Sequence, residues 1–219
     1  MQRLHLLTPL LLASLAGTAQ QPADTILPNK ELTAVRVDNL PGKIKVHKIT
    51  GFPSYASFEE GETHVCLVKG YPRGKLVYLE FYFNTGLPNM LKKKLKIHYR
   101  DVQLQLLLFK VDTGSRMGAS LLDRDLRFVV KATDDGAYRV PVDSLGIVED
   151  SLFVGLRVIG PTVKGEANLY VRMNETKNGV AYRQQTQPPF AGRWFRYTHA
   201  DEFKLRVGVQ VRQPISEPN

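Results

Sequence analysis

Cysteine and tryptophan are scarce in this 219-residue chain, which has one of each, Cys66 and Trp194. A single cysteine excludes a disulfide within the chain. Cys66 lies inside the apolar run 64–69, which favours a small buried thiol. His64 and Cys66 could point to the same side of a strand, but two ligands do not make a metal site. The sequence therefore predicts a structural role for Cys66.

Catalytic and cofactor motifs are also missing. The chain has no Gly-x-Ser-x-Gly, no Walker loop, no glycine pattern for dinucleotides and no His-Glu-x-x-His. His199, Asp201 and Glu202 offer metal ligands near the last strand, but such a cluster is typical of a solvated turn. We therefore predict a protein that is not an enzyme and has no metal site and no cofactor.

Long apolar runs are absent except near the start of the chain. Residues 6–15 form an apolar core of about ten residues, preceded by Arg3 and followed by small residues before Gln20. This pattern is typical of a secretory signal peptide over residues 1–19, and it is too short for a membrane span. The cleavage site lacks the cysteine that a lipid anchor needs. We expect an exported protein, in the periplasm, on the outer surface or outside the cell, without a transmembrane segment.

Alternating apolar residues mark the centre of the fold. Residues 75–83 and 102–111 are the strongest runs, and their period of two predicts strands. In the first run Val77, Leu79 and Phe81 should share one face with Phe83, opposite a face that includes Glu80. About ten such segments, separated by Gly and Pro turns, predict an all-β, antiparallel, jelly-roll-like β-sandwich.

The ends of the chain differ from this central part in composition. Residues 20–30 are polar with two prolines and are expected to form a flexible leader, and residues 213–219 a flexible tail. Residues 31–212 are expected to form one β-sandwich domain. Polar, Pro-rich loops, such as residues 184–192, are expected to lie on its surface.

Positive charge is the main hint at a binding function. The chain has 30 Lys and Arg against 21 Asp and Glu, which attracts anionic partners and also aids solubility. Basic and aromatic residues are densest at Arg193, Trp194, Arg196 and Tyr197, where rings could stack on sugars and Arg could hold acidic groups. The alternative is that these residues simply complete a strand. The expected partner is an anionic polysaccharide or an envelope protein, and export disfavours nucleic acid.

Paired carboxylates leave a second function open. Asp123 with Asp125, and Asp134 with its neighbour Asp135, could provide the two acids that a polysaccharide hydrolase needs. Aspartates near Gly more commonly shape turns. A secreted hydrolase is therefore the alternative to a non-enzymatic binding protein.

The order of the segments resembles a known family. It consists of the strand 79–83, the strand 102–111, the segment 139–150 and the strand 152–156, and then a chain that continues to Trp194. This arrangement resembles the secreted β-sandwich domains of Bacteroidota that often follow carboxypeptidase-regulatory-like modules. The resemblance implies a jelly-roll-like, non-catalytic domain at the cell envelope.

The signal peptide can be tested directly. If residues 1–19 are removed on export, the mature protein should begin at or near Gln20, because small residues precede this position as signal peptidase requires. Mass spectrometry of the protein recovered from the envelope and medium measures this. A cytoplasmic protein that still carries Met1 would contradict the prediction.

Overall fold

The computed structural model describes most of the chain after residue 41. The described residues are 42–84, 98–164, 166, 168–184, 186, 189, 191–198 and 201–211. They contain fourteen strands and one short 3-10 helix, Asp143–Leu145, and in this part of the chain no helix is long and apolar enough to cross a membrane. The predicted signal peptide, leader and tail lie outside the described residues.

Seven strands form the first sheet, called sheet A. They are β1 (Lys43–Lys48), β2 (Phe52–Ser57), β4 (Lys75–Phe83), β8 (Gly136–Pro141), β10 (Tyr170–Glu175), β13 (Asp201–Phe203) and β14 (Arg206–Val211). The long strand β4 pairs with β8 at one edge and with β14 at the other, and β14 also pairs with β1. Strand β10 joins β4 to β2 and β13.

Seven further strands form sheet B. They are β3 (Thr63–Lys69), β5 (Val102–Asp112), β6 (Arg116–Ser120), β7 (Leu126–Val130), β9 (Ser151–Gly160), β11 (Val180–Gln184) and β12 (Trp194–Thr198). The order across the sheet is β12-β11-β3-β9-β5-β6, and β7 also pairs with β5. All of these pairings are antiparallel.

The two sheets bury one large apolar core between them. Alternation along the strands directs their apolar side chains inward, as in Val102, Leu104, Leu106 and Leu108 of β5, which are all fully or almost fully buried. The all-β, antiparallel β-sandwich predicted from sequence is confirmed. The described residues have more strands than the predicted ten, and β2 at residues 52–57 and β6 at residues 116–120 are among the additional ones.

A bulge changes the predicted faces of β4. Gly208 of β14 lies opposite Tyr78 and the next residue lies opposite Leu76, so that β4 has one extra residue, Val77. Leu76 is therefore buried in the core and Val77 is partly exposed, contrary to the alternation expected from the sequence. From Leu79 onward the prediction is correct.

Sheet B has a second apolar cluster on the face that points away from sheet A. Its buried members are Val65, Leu67 and Phe153. The hairpin between β5 and β6 reaches over this face, where the backbone N–H of Met117 donates to the Tyr182 hydroxyl at 3.4 Å. Because β6 and β11 lie on opposite sides of the central strands, this contact means that sheet B curls around the cluster.

Gly208 provides a test of the packing beside the bulge. A Cβ atom at this position would meet the Tyr78 ring at 2.2 Å, so Gly208→Ala must displace the ring and should destabilise the fold by about 1–3 kcal/mol. Urea unfolding measures the change. In a Tyr78→Ala background the same substitution should have little effect, and an equal loss in both backgrounds would exclude the ring as the cause.

Candidate functional site

The predicted aromatic–basic cluster lies on β12, at one side of sheet B. Arg196 pairs with Tyr182 and Trp194 pairs with Gln184, whereas Tyr197 pairs with Ala181 of the core. Trp194 and Arg196 therefore share the outward face of the sheet, and Tyr197 points to the other side. Strand alternation divides the cluster between two faces. Arg193 precedes the strand and is exposed.

Arg196 has a contact within the protein. Its Nη2 atom donates to the carbonyl of Gly114, at the tip of the β5–β6 hairpin, at 3.4 Å. This contact helps to hold the hairpin over the apolar cluster of sheet B. Trp194 remains 36% exposed and Tyr197 41% exposed. The segment thus combines a structural contact with exposed rings.

The predicted acid pair lies at a shallow depression, but one of its members is engaged. Asp123 and Asp125 both line a depression of about 290 Å³. The carboxylate of Asp125 accepts from Gln105 at 2.7 Å and also forms an ion pair with Arg127. Asp134 accepts from the backbone N–H of Lys131, which is the turn role that the sequence favoured. These contacts give Asp125 and Asp134 structural partners.

His64 and Cys66 lie in the core. Burial, together with the charge of Arg183, lowers the pKa of His64 to about 4 against the opposing hydrogen bond to the Asp201 carbonyl, and burial raises the pKa of the Cys66 thiol. Both groups are therefore neutral near pH 7. No three His, Cys, Asp or Glu side chains in the described residues lie close enough to hold a metal ion. His199 lies outside the described residues.

A row of charged residues crosses the outward face of sheet A. Arg139 of β8 lies opposite Glu80 of β4, which lies opposite Arg206 of β14, which lies opposite Lys48 of β1. We call these four residues the charged row. With strands about 4.8 Å apart, the row spans about 14 Å. Strand pairing thus aligns residues that are far apart in sequence.

Glu80 organises the centre of the charged row. Its side chain is only 6% exposed, and one oxygen accepts from Arg139 at 2.9 Å while the other accepts from Arg206 at 3.0 Å. Tyr82 donates a third hydrogen bond at 3.1 Å. The side chains of Arg139 and Arg206 are 58% and 42% exposed. Glu80 therefore binds each guanidinium on its inner side, while the outer side faces solvent. The buried carboxylate therefore fixes two exposed cations in place.

Two tyrosine rings contact cations on this face of sheet A. The guanidinium of Arg139 lies 4.0 Å from the centre of the Tyr78 ring, and the ammonium of Lys204 lies 4.4 Å from the centre of the Tyr82 ring. Such contacts attract a cation to the negative face of the ring. The ring faces are therefore occupied by the protein's own cations.

The cations far outnumber the acids at this surface. Strands β1, β4, β8 and β14 contain one acidic residue, Glu80. Lys204 adds a further cation, and burial, together with the charges of Arg172 and Arg206, lowers its pKa. The Nε of Arg172 is buried and has no hydrogen-bond partner among the described residues. On these four strands the positive charge is unbalanced and attracts anions, whereas β10 and β13 of the same sheet also contain Glu175, Asp201 and Glu202.

Burial alone would raise the pKa of Glu80. Hydrogen bonds from Arg139 and Tyr82, with the charges of Arg206 and Arg139, outweigh this effect and hold the pKa below its usual value of 4.5. Glu80 is therefore ionised at neutral pH. The sequence contained one signal for this site, an acid inside the apolar strand 75–83, which requires partners when buried. It did not identify those partners.

Comparisons with known proteins supply no family for this chain. No protein-family model matches it, and no curated protein matches it. Among solved structures, it is similar to the cysteine protease and lectin-like domains of Cwp84, a surface layer associated protein of Clostridium difficile, with a TM-score of 0.43 and 10% identity. The match covers 69% of this chain and 33% of that one. This chain therefore spans about a third of the length of that chain.

Replacement of Glu80 should destabilise the fold in a pH-dependent way. Glu80→Gln removes the charge from a buried group with three hydrogen bonds, and we expect a loss of about 1–3 kcal/mol at pH 7. Because the pKa of Glu80 is lower in the folded than in the unfolded state, ionised Glu80 stabilises the fold at pH values above the unfolded-state pKa. This stabilisation is lost as the pH falls through the folded-state pKa. The difference between wild type and variant should therefore shrink below pH 4.5.

Urea unfolding between pH 7 and pH 3 measures this difference. The matched control is Glu149→Gln, which removes an acid from a more exposed ion pair with Lys110 at 4.0 Å and should change stability by less than about 1 kcal/mol. A pH-independent effect of Glu80→Gln would exclude the ionised carboxylate as its source.

Proposed function

We propose that this chain is an exported, non-enzymatic protein whose β-sandwich binds an anionic polysaccharide of the cell envelope through the outward face of sheet A. The observation that carries the proposal is the charged row, in which Glu80 fixes Arg139 and Arg206 with their outer sides exposed. Fixed cations lose little conformational freedom on binding, which favours affinity.

Two further features support an anionic ligand. Lys48 and Lys204 extend the positive charge beyond the two arginines, and strands β1, β4, β8 and β14 contribute one acid, Glu80. Arg139 and Lys204 also lie over the faces of Tyr78 and Tyr82, so these rings are not free to stack on neutral sugars. Recognition at this face should therefore depend on charge and weaken in salt.

The predicted export places such a surface where acidic polysaccharides are found. The signal peptide pattern over residues 1–19 supports this location. The predicted cluster at Trp194 lies on the other sheet, where an envelope protein could contact its exposed rings. We assign the polysaccharide to sheet A because the fixed cations are there.

Binding of the mature protein to polygalacturonate tests the proposal, with neutral dextran as the comparison. We expect binding to polygalacturonate alone, weakening as salt rises. Arg139→Gln and Arg206→Gln should each weaken it about tenfold, since loss of one charge-assisted contact is equivalent to about 1.5 kcal/mol. Calorimetric titration measures the affinity.

The matched control is Arg127→Gln. Arg127 is also an exposed arginine paired with a carboxylate, that of Asp125, but it lies on sheet B and should not affect binding. Equal binding to dextran, or no binding to any acidic polymer, would contradict the proposal. Release of new reducing ends from the polymer, lost in Asp123→Asn or Asp125→Asn, would favour the hydrolase instead.

A further inference from the structure

A second row of residues runs beside the charged row on sheet A. Val46 of β1 lies opposite Gly208 of β14, which lies opposite Tyr78 of β4, which lies opposite Pro141 of β8. We call these four residues the apolar row. It is displaced from the charged row by two residues along each strand, or about 7 Å, and it points to the same face.

The apolar row has exposed side chains at both ends. Val46 is 47% exposed, and Pro141 is also exposed. Between them the Tyr78 ring lies against Gly208, where a Cβ atom would meet it at 2.2 Å. Ile44, two residues before Val46 on the same face, is 48% exposed and extends the apolar surface. Tyr78 is only 8% exposed and Arg139 lies over its ring, so the exposed apolar surface lies at the two ends of the row, at Val46 and at Pro141. The face therefore combines a positive strip that crosses the strands with apolar side chains at both ends of the neighbouring row.

This arrangement restricts the shape of the ligand. A chain that contacts the charged row along its length and the exposed side chains at both ends of the apolar row must run across the strands. It must also carry its acidic groups along one edge and apolar surface beside them. Pyranose rings with a carboxylate meet this requirement, because their C–H surfaces are apolar. Polyphosphate has no apolar surface, so it would leave Val46 and Ile44 uncovered.

We propose that the ligand is a linear acidic glycan that lies across the strands of sheet A, with its acidic groups on the charged row and the C–H surfaces of its sugar rings on Val46 and Pro141, the exposed ends of the apolar row. This assignment rests on the proposed function and adds the direction of the chain, its chemical class and Val46 as a residue that determines specificity. The binding length should be about 14 Å, the span of either row.

Val46→Ser tests the apolar row. The variant should bind oligogalacturonates about fivefold more weakly than wild type, because it exchanges an apolar contact for a hydroxyl. Its affinity for polyphosphate should not change, since polyphosphate engages the charged row alone. The matched control is Val129→Ser, because Val129 is 44% exposed on sheet B and should affect neither ligand. Thermal unfolding checks that each variant is folded. If Val46→Ser is unfolded, Ile44→Ser provides a second test of the same apolar surface.

A series of oligogalacturonates tests the direction of the chain. Affinity should rise with length until the oligomer spans about 14 Å and then level off, and Lys48→Gln should weaken the long oligomers more than the short ones. Lys48 and Arg139 lie at opposite ends of the charged row, so a chain anchored at Arg139 reaches Lys48 only if it crosses all four strands.

Failure of each proposal gives a different result. If wild type binds no acidic glycan, the proposed function is wrong. If it binds but Val46→Ser and Ile44→Ser bind equally well, or if polyphosphate binding falls by the same factor, the apolar row is not part of the site. Vesicles that contain phosphatidylglycerol form a further arm. If the wild type binds these vesicles but no glycan, and Val46→Ser no longer binds the vesicles, the partner is an anionic lipid surface. Both proposals are then overturned.

Discussion

The carboxylate of Glu80 is the group on which the outward face of sheet A depends. A buried charge is tolerated only when it is paired, and Glu80 lies in the middle of a strand that is otherwise apolar. Its two oxygens require donors from both neighbouring strands, and the antiparallel register supplies Arg139 on one side and Arg206 on the other. A requirement of folding thus places two cations side by side on the surface.

The same strand register also sets the second feature of this face. The bulge at Val77 makes Leu76 point inward and places Tyr78 opposite Gly208, where a side chain would occupy the space of the ring. The ring in turn supports the guanidinium of Arg139. Core packing, ring placement and cation placement are therefore one connected arrangement. A change at Gly208 reaches the surface charge through Tyr78.

The sequence predicted the fold better than the candidate site, and the reason is the range of the interactions. Alternation is a local property, so the strands around residues 79–83 and 102–111 and the sandwich class followed from it. The bulge at Val77 did not follow, because it depends on the partner strand. Glu80 was visible as an unusual residue, but Arg139 and Arg206 are 59 and 126 positions away. Only the pairing of strands brings them together.

Cys66 has a consequence of a different kind. Its thiol is fully buried, its sulfur accepts from the backbone N–H of Phe203 at 3.5 Å, and this contact joins β3 of one sheet to β13 of the other. Burial that raises a thiol pKa suppresses the reactive thiolate. The single cysteine of the chain therefore reacts with a labelling reagent only after the two sheets have separated at this point. The rate of its modification therefore reports how often the sandwich opens, and the measurement needs no engineered cysteine.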